Sequence, residues 1–383
     1  DVILSIKPVV EQEGDASDEE TLKLRDILGQ AYAYRAMCYL DLARLYEPKA
    51  NGYTDIPESI MGLTVPIVDE NTTLEQTKNN PRVPREQMYG FIFSDLEKAA
   101  ALMDESDRTF SRPTLHAVYG MMAKAYLELG YSQDPAFPGE EMFANAARYA
   151  RMVIDDGGYS PLTQSQWEDP VNGFNNAAAN NAWIWGFSLV AENLGNLLTF
   201  VSHISSEASW GYARYAQFGV SAKLYDQIPD TDFRKHSWYD PELDYDYKLA
   251  GGGRVQNGYL IYGEYGIEAL KHLSLKFRPA SGDVLNYTVA NASDWCLMRI
   301  EEMYFIEIEA QLNISGLAKA QDLLNEFMQT YRYSSYDCKM MTMTEDAFIS
   351  ELMLQRRIEF WGEGLLFFDY KRLNQGIKRG YEG

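Results

Sequence analysis

The residues best suited to chemistry in this sequence are aromatic side chains near its middle. Residues 209–215 read SWGYARY, so Trp210 and Tyr212 lie two apart and Tyr215 follows. Residues two apart in a strand point to the same side of it, so we predict that Trp210 and Tyr212 share one exposed strand face. A flat ring covers the apolar C–H face of a pyranose, while Asn, Asp, Gln and Arg bind its hydroxyl rim. This segment is therefore the first candidate for a carbohydrate site.

Two further rings complete the predicted site. Trp238 follows Asp232 and Arg234 closely, and Tyr53 lies in a predicted loop over residues 47–80. If a ring and a sugar remove about 100 Å² of apolar surface from water, the contact contributes roughly 2.5 kcal/mol at about 25 cal/mol per Å². Two or three such rings, after the cost of association, predict affinities between millimolar and tens of micromolar.

Each of these rings could instead pack in the core, where tryptophan is largely buried on average. Trp183 and Trp185 lie in an apolar run over residues 181–190, which predicts a buried strand. We also expect Trp361 to pack in the interior. Exposure of the remaining rings is thus the property that separates a binding surface from a core.

Charge and motifs exclude several other functions. The 383 residues carry 34 Lys and Arg against 56 Asp and Glu, a net charge of −22, which argues against nucleic acid and against anionic lipid surfaces. Three cysteines and four histidines are scattered, so neither a metal nor another cofactor is expected. No GxSxG, Walker A or GxGxxG motif occurs, and acidic pairs mean little in so acidic a chain. We therefore predict a binding protein and no enzyme.

The elements that must position these rings are mainly helices. Apolar residues recur at steps of three and four over six segments, namely residues 20–46, 85–104, 114–129, 141–154, 297–313 and 317–332. A last helix is predicted to begin near Thr344 and to continue to Leu373. Paired helices of about 34 residues predict a mostly α fold of tetratricopeptide-like pairs. The interruption at residues 156–296 is too long for a loop, so we predict short strands in this aromatic-rich insert.

Charges lie among large apolar residues in the last predicted helix. Glu359 and Glu363 are four apart and are predicted to share a helical face, with Arg356 three residues before Glu359. A surface helix normally segregates charged from apolar residues, so these charges are expected to be partly buried and paired.

The same segment resembles the C-terminal signature of the SusD/RagB family, the outer-membrane nutrient-binding lipoproteins of Bacteroidetes. The residues that match are Arg356, Arg357, Glu359, Glu363, Gly364, Phe368, Asp369 and Arg372, and the departures are Gln355, Trp361 and Leu366. Helices of the family's repeats are matched at Arg35, Ala36, Leu42, Arg44, Tyr46, Tyr89, Ile92, Asp95, Leu96, Ala99, Arg299, Glu302, Tyr304, Ile306, Glu309 and Ala310.

The resemblance implies a single SusD-like domain over residues 1–383, trimmed at both ends. It implies a helical scaffold at residues 20–155 and 297–375, with the insert contributing the ligand face and Asp232 and Arg234 serving the structure. The implied function is glycan binding on the outer membrane, with delivery to a SusC-like TonB-dependent transporter. Membrane attachment would be through an N-terminal lipid absent from this chain. Peptide binding, as in RagB-like proteins, and a purely protein-binding scaffold remain open.

Overall fold

The computed structural model describes residues 2–14, 18–52, 55–191, 199–290, 292–342 and 344–376. Tertiary contacts group the chain into two compact units. One, called here the helical unit, comprises Asp1–Gly157, Ile306–Gly316 and Gly362–Gly383. The other, the mixed unit, comprises Gly158–Phe305 and Leu317–Trp361. The predicted division into a scaffold at residues 20–155 and 297–375 and an insert at residues 156–296 remains a prediction.

Helices pack in pairs in the helical unit. They are α1 (Val2–Glu13), α2 (Glu19–Tyr46), α3 (Leu74–Thr77), α4 (Arg85–Leu102), α5 (Leu115–Gly130), α6 (Gly139–Asp156) and α14 (Leu366–Arg372). α2 packs against α4, and α5 packs against α6. Asp18 starts α2 by accepting a hydrogen bond from the Thr21 amide at 3.0 Å. Buried alanines such as Ala33 and Ala123 let the backbones approach closely. The four predicted helices up to residue 154 and the mostly α fold are confirmed.

Short helices and strands make up the insert part of the mixed unit. The helices of this unit are α7 (Gln164–Glu168), α8 (Phe200–Ile204), α9 (Ala222–Tyr225), α10 (Tyr287–Ala290), α12 (Leu317–Tyr331) and α13 (Glu345–Glu359). α11 (Ile300–Ser315) begins here, while its residues 306–315 belong to the helical unit. The strands are β1 (Trp183–Phe187), β2 (Arg254–Gln256), β3 (Tyr259–Tyr262), β4 (Tyr265–Glu268) and β5 (Trp295–Arg299). The predicted short strands are confirmed.

Two antiparallel sheets organise this insert. β1 pairs with β5, and β2, β3 and β4 form a three-stranded meander. Trp183 and Trp185 are buried on β1, as predicted. Residues 297–299 were predicted to open a helix, which is wrong, because their backbone pairs with β1 and α11 begins only at Ile300.

The predicted last helix is two helices. α13 begins after Thr344, as predicted, but it ends at Glu359. Gly362 and Gly364 follow with φ of +78° and +80°, a left-handed conformation that glycine adopts without steric cost. The prediction of one continuous helix, and of one face shared by Glu359 and Glu363, is therefore wrong.

Buried ion pairs hold the mixed unit together. The carboxylate of Glu359 accepts hydrogen bonds from Arg234 at 2.9 Å, Arg299 at 2.8 Å and Arg332 at 2.6 Å. Arg234 also pairs with Asp232 at 2.6 Å, and all five of these side chains are buried. The predicted pairing of Glu359 and the structural role of Asp232 and Arg234 are confirmed.

Candidate ligand-binding surface

The segment that carries the predicted rings is fixed at both ends by glycines. A Cβ on Gly211 would lie 2.4 Å from the carbonyl oxygen of Ser202, and a Cβ on Gly219 would lie 2.5 Å from that of His272. Both distances are too short for any other residue, so glycine is what lets the segment pack onto its neighbours. Of the residues between these two anchors, Ala213 is buried, Gln217 is half-buried and the other five are exposed.

Three rings between the anchors are exposed. Tyr212 keeps 48%, Tyr215 keeps 83% and Phe218 keeps 50% of its surface accessible. Exposed apolar side chains that cluster in one patch can mark a binding surface, so this segment is a candidate for one.

The local geometry differs from the predicted strand. Tyr212–Arg214 is a turn of 3-10 helix, closed by hydrogen bonds from the amides of Tyr215 and Ala216 to the Tyr212 carbonyl oxygen at 3.0 and 3.1 Å. The prediction that Trp210 and Tyr212 share a strand face is wrong, because a 3-10 turn lacks the two-residue alternation. Trp210 is half-buried, and its buried indole N–H has no hydrogen-bond acceptor among the described residues.

A histidine orients Tyr212. The rings of His203 and Tyr212 lie 4.8 Å apart at an angle of 30°. Nδ1 of His203 lies 2.7 Å from the Thr199 carbonyl oxygen, which fixes the imidazole. This contact restricts the Tyr212 ring on one side, which reduces the entropy that binding must remove.

An arginine lies between two tyrosines. The Arg214 guanidinium lies 5.3 Å from the ring centroid of Tyr215 and 4.9 Å from that of Tyr265. These are cation–π distances. Burial raises the pKa of Tyr265 even though the charge of Arg214 acts to lower it. Its phenol thus stays neutral, and its hydroxyl has no protein partner in the described part of the chain.

The β3–β4 hairpin extends this surface. Gln217 Nε2 donates to the carbonyl oxygen of Glu268 at 2.9 Å, and Glu268 pairs with Tyr259 across the hairpin. Tyr259 is also exposed. We refer to Tyr212, Arg214, Tyr215, Phe218 and Tyr259 together as the tyrosine surface.

Sequence reasoning missed several of these positions. Those not predicted are His203, Arg214, Phe218, Tyr259 and Tyr265. One signal was available for the meander, since Asn257-Gly258 joins β2 to β3 with both residues at positive φ. Asn-Gly between apolar runs is a strong hairpin indicator. Nothing in the sequence indicated that Gln217 ties the aromatic segment to that meander.

Trp238 does not belong to the surface. Its side chain has no exposed area, and its ring meets Trp361 edge-to-face at 5.8 Å. The backbone of Trp238 forms a bridge with Ser274, which draws the residue into a core with Val220 and Ile358. A ring enclosed in this way cannot stack on a ligand, so the assignment of Trp238 is wrong, while the predicted packing of Trp361 is confirmed.

The fifth predicted residue, Tyr53, lies outside the described residues. Of the five predicted positions, the structure therefore brings Trp210, Tyr212 and Tyr215 together in one segment.

Comparison with known families gives a consistent result. Residues 253–382 match the SusD family, and residues 3–127 match a SusD-like family described as starch-binding and associating with the outer membrane. The chain belongs to the SusD/RagB family. No curated protein matches the sequence.

Solved structures of SusD-like proteins share the fold. A SusD-like carbohydrate binding protein from Bacteroides vulgatus is 22% identical, with a TM-score of 0.69 over 99% of this chain and 69% of that chain. A SusD superfamily protein from Bacteroides thetaiotaomicron is 19% identical, with a TM-score of 0.64 over 99% of this chain and 74% of that chain. A putative sugar binding protein from Bacteroides vulgatus is 20% identical, with a TM-score of 0.66 over 99% and 72%. At these identities the likeness shows the fold alone.

Other features of this SusD/RagB family member are less suited to glycan recognition. The helical unit has a cavity of about 450 Å³ beside the end of α2, with Tyr46 and Phe367 in its wall. Its charged groups are already engaged, since Lys49 pairs with Glu128 at 2.7 Å and Lys371 donates to the Leu45 carbonyl oxygen at 2.8 Å. This cavity is mainly apolar, whereas sugars need free polar groups around a ring.

The described residues of this SusD/RagB family member contain neither a metal site nor a membrane-spanning helix. No three His, Cys, Asp or Glu side chains among the described residues are grouped to hold a metal ion. Likewise, no described helix combines the length and apolar character needed to cross a bilayer.

Proposed function

We propose that this protein binds glycans on the outer membrane through the tyrosine surface. Bound glycan would pass to a SusC-like TonB-dependent transporter. The observation that carries the proposal is the exposure of Tyr212 and Tyr215 on a segment anchored by glycine at both ends. The family description, starch-binding and associating with the outer membrane, and the carbohydrate-binding relative from Bacteroides vulgatus support the ligand class.

The surface supplies both kinds of contact that a sugar needs. Each exposed tyrosine ring offers a flat apolar face, and covering about 100 Å² of it contributes roughly 2.5 kcal/mol. A polar group lies beside the rings, namely the exposed Arg214 guanidinium, whose N–H groups can donate to hydroxyls. Few rings and few fixed donors favour weak binding, which suits a protein that releases its ligand to a transporter.

We infer that the protein acts without turnover of its ligand. The tyrosine surface consists of four aromatic rings and one arginine, and it therefore contains no pair of carboxylates of the kind that glycoside hydrolysis uses. We also infer that a lipid anchor holds the protein at the cell surface, which the family description of association with the outer membrane supports.

The test is binding of the protein to a panel of host and plant polysaccharides, by affinity gel electrophoresis and calorimetry. Tyr212→Ala and Tyr215→Ala are each expected to weaken binding of a confirmed glycan by about tenfold, since losing one ring contact removes about 1.4 kcal/mol or more. Tyr46→Ala is the matched control, since Tyr46 lies in the helical unit and is about as exposed as Tyr212. Loss of binding in Tyr46→Ala alone would move the site to the cavity beside α2.

Peptides are the second candidate ligand. The net charge of −22 attracts cationic peptides, and tyrosine rings bind them as readily as sugars. A tryptic digest is therefore included beside the glycan panel. Binding of peptides with no binding of any glycan would overturn the proposal.

A further inference from the structure

Arg214 differs from the buried arginines of the mixed unit in having no carboxylate partner. Its guanidinium donates to the Ser209 carbonyl oxygen at 3.3 Å and otherwise contacts the rings of Tyr215 and Tyr265. It makes no ion pair with any described residue. Arg234 and Arg332, by contrast, each pair with carboxylates inside the protein.

The ring contacts give this guanidinium a defined position without neutralising it. The N–H groups of a guanidinium point outward in its own plane. They therefore remain available to a ligand when the face of the guanidinium contacts an aromatic ring. One of them is occupied by Ser209, and the side chain is exposed. A planar fork with unused donors matches the two oxygens of a carboxylate.

Arg214 lacks an ion pair even though acidic side chains are abundant around it. The chain carries 22 more acidic than basic side chains, and Glu264 and Glu268 lie exposed on or beside the same meander. None of these acids pairs with Arg214 in the described chain. The field of these acids opposes an anionic ligand, so a carboxylate at this surface would be held by direct contact with the Arg214 guanidinium rather than by long-range attraction.

We propose that the tyrosine surface selects glycans that carry carboxylates, with Arg214 binding the carboxylate of a uronic acid while Tyr215 covers the adjacent C–H face. This inference rests on the proposed glycan-binding function and names its ligand class. It makes Arg214 the residue that determines specificity.

The experiment compares acidic polysaccharides with their own neutral counterparts. Polygalacturonate, alginate and hyaluronan are each tested by calorimetry before and after chemical reduction of their carboxyl groups, which leaves the ring and linkage unchanged. The wild-type protein is expected to bind at least one acidic form about tenfold more tightly than its reduced form, as for one charge-assisted contact.

Variants identify the residue responsible. Arg214→Gln is expected to weaken binding of the acidic form by about tenfold and to change binding of the reduced form less than about twofold. Arg214→Lys keeps the charge but loses the fork, and is expected to recover only part of the difference. Arg148→Gln is the matched control, because Arg148 is also exposed and also stacks on a tyrosine, Tyr149, at 4.0 Å in the helical unit.

The outcomes separate this inference from the proposed function. Equal binding of acidic and reduced forms across the panel, or an Arg214→Gln protein that retains the preference, would overturn the carboxylate selection and leave glycan binding intact. Binding of neutral polysaccharides through Tyr212 and Tyr215, with no binding of any acidic form, would also overturn the carboxylate selection and leave glycan binding intact. Binding of no glycan of either kind would overturn both.

Discussion

A single buried carboxylate, that of Glu359, organises three arginines in the mixed unit. Burial alone would raise its pKa, but the charges of Arg332, Arg299 and Arg234 outweigh that effect and hold the pKa well below the ordinary value of a glutamate. Glu359 is therefore ionised throughout the neutral range. Lys276 adds to the cluster by donating to the Glu359 carbonyl oxygen at 2.8 Å.

Replacement of this carboxylate by an amide is the first test of stability. Glu359→Gln removes the one carboxylate that all three arginines share. Arg234 is then left with Asp232 alone, and Arg299 and Arg332 are left with Glu301. The buried positive charge is no longer balanced, so we expect a loss of about 3 to 5 kcal/mol in the free energy of unfolding. Urea unfolding followed by tryptophan fluorescence measures it. Glu242→Gln applies the same change to an exposed pair with Lys271 and should cost less than about 1 kcal/mol. Equal effects in the two variants would contradict the role of Glu359.

Glu168 gives the stability of the mixed unit a defined pH dependence. Burial acts to raise its pKa, but hydrogen bonds from His236, Gln164 and Tyr245 lower the pKa to about 2 from 4.5. A lowered folded-state pKa means that the stabilisation is complete above the unfolded value and is lost as the pH falls towards the folded one. The wild-type protein should therefore lose stability between about pH 4.5 and pH 2.

Comparison with Glu168→Gln isolates this contribution, because every other acid titrates in both proteins. The amide variant should be less stable than wild type at pH 7, and the gap between their urea midpoints should narrow as the pH falls below about 4.5. A gap that stays constant from pH 7 to pH 3 would show that the Glu168 charge contributes nothing.

At the scale of elements, the helices could be predicted from sequence because their apolar residues recur at a local, periodic spacing. α2, α4, α5 and α6 repeat apolar residues at the helical spacing, and they begin and end within a few residues of the predicted positions. The tyrosine surface could not be predicted from sequence in the same way. The segment around the turn at residues 212–214 is packed by close backbone contacts, of Gly211 with Ser202 and of Gly219 with His272, and the second of these joins residues 53 apart in sequence.

The break between α13 and α14 is a case where the sequence held a signal that the helical pattern obscured. Gly362 and Gly364 lie two apart, and both adopt positive φ. The apolar spacing on either side resembles a continuous helix, but glycine at this density favours a turn.

Gly364 allows the break to be tested without a steric complication. A Cβ at this position would meet no atom within 4 Å, so Gly364→Ala changes only backbone preference. Because φ is +80°, we expect a loss of about 1 to 2 kcal/mol. Gly90→Ala is the matched control, since Gly90 lies exposed within α4 and its Cβ would also be free of contact. That change should stabilise by about 0.5 to 1 kcal/mol. Thermal or urea unfolding of both variants measures the two changes in stability, and a Gly364→Ala protein that is as stable as Gly90→Ala would contradict the prediction.

At the scale of the whole molecule, neither compact unit is continuous in sequence, since both α11 and the C-terminal signature are divided between them. Exposure of a ring is a property of such long-range packing. This is why tryptophan density led to Trp238, which is buried, whereas the more polar Tyr215 is accessible.

The net charge of −22 separates the two candidate ligand classes by their response to salt. Attraction of a cationic peptide to an acidic protein is a long-range effect, and it falls as the screening length shrinks from about 30 Å at about 0.01 M salt to about 3 Å at about 1 M. Stacking of a neutral sugar on Tyr212 and Tyr215 removes apolar surface from water, which this screening does not weaken. We therefore expect affinity for a neutral glycan to change less than about threefold over that range, and peptide binding to be largely lost. Calorimetry on wild type and Tyr215→Ala provides the measurement, and an affinity for a neutral glycan that collapses with salt would contradict binding through the rings.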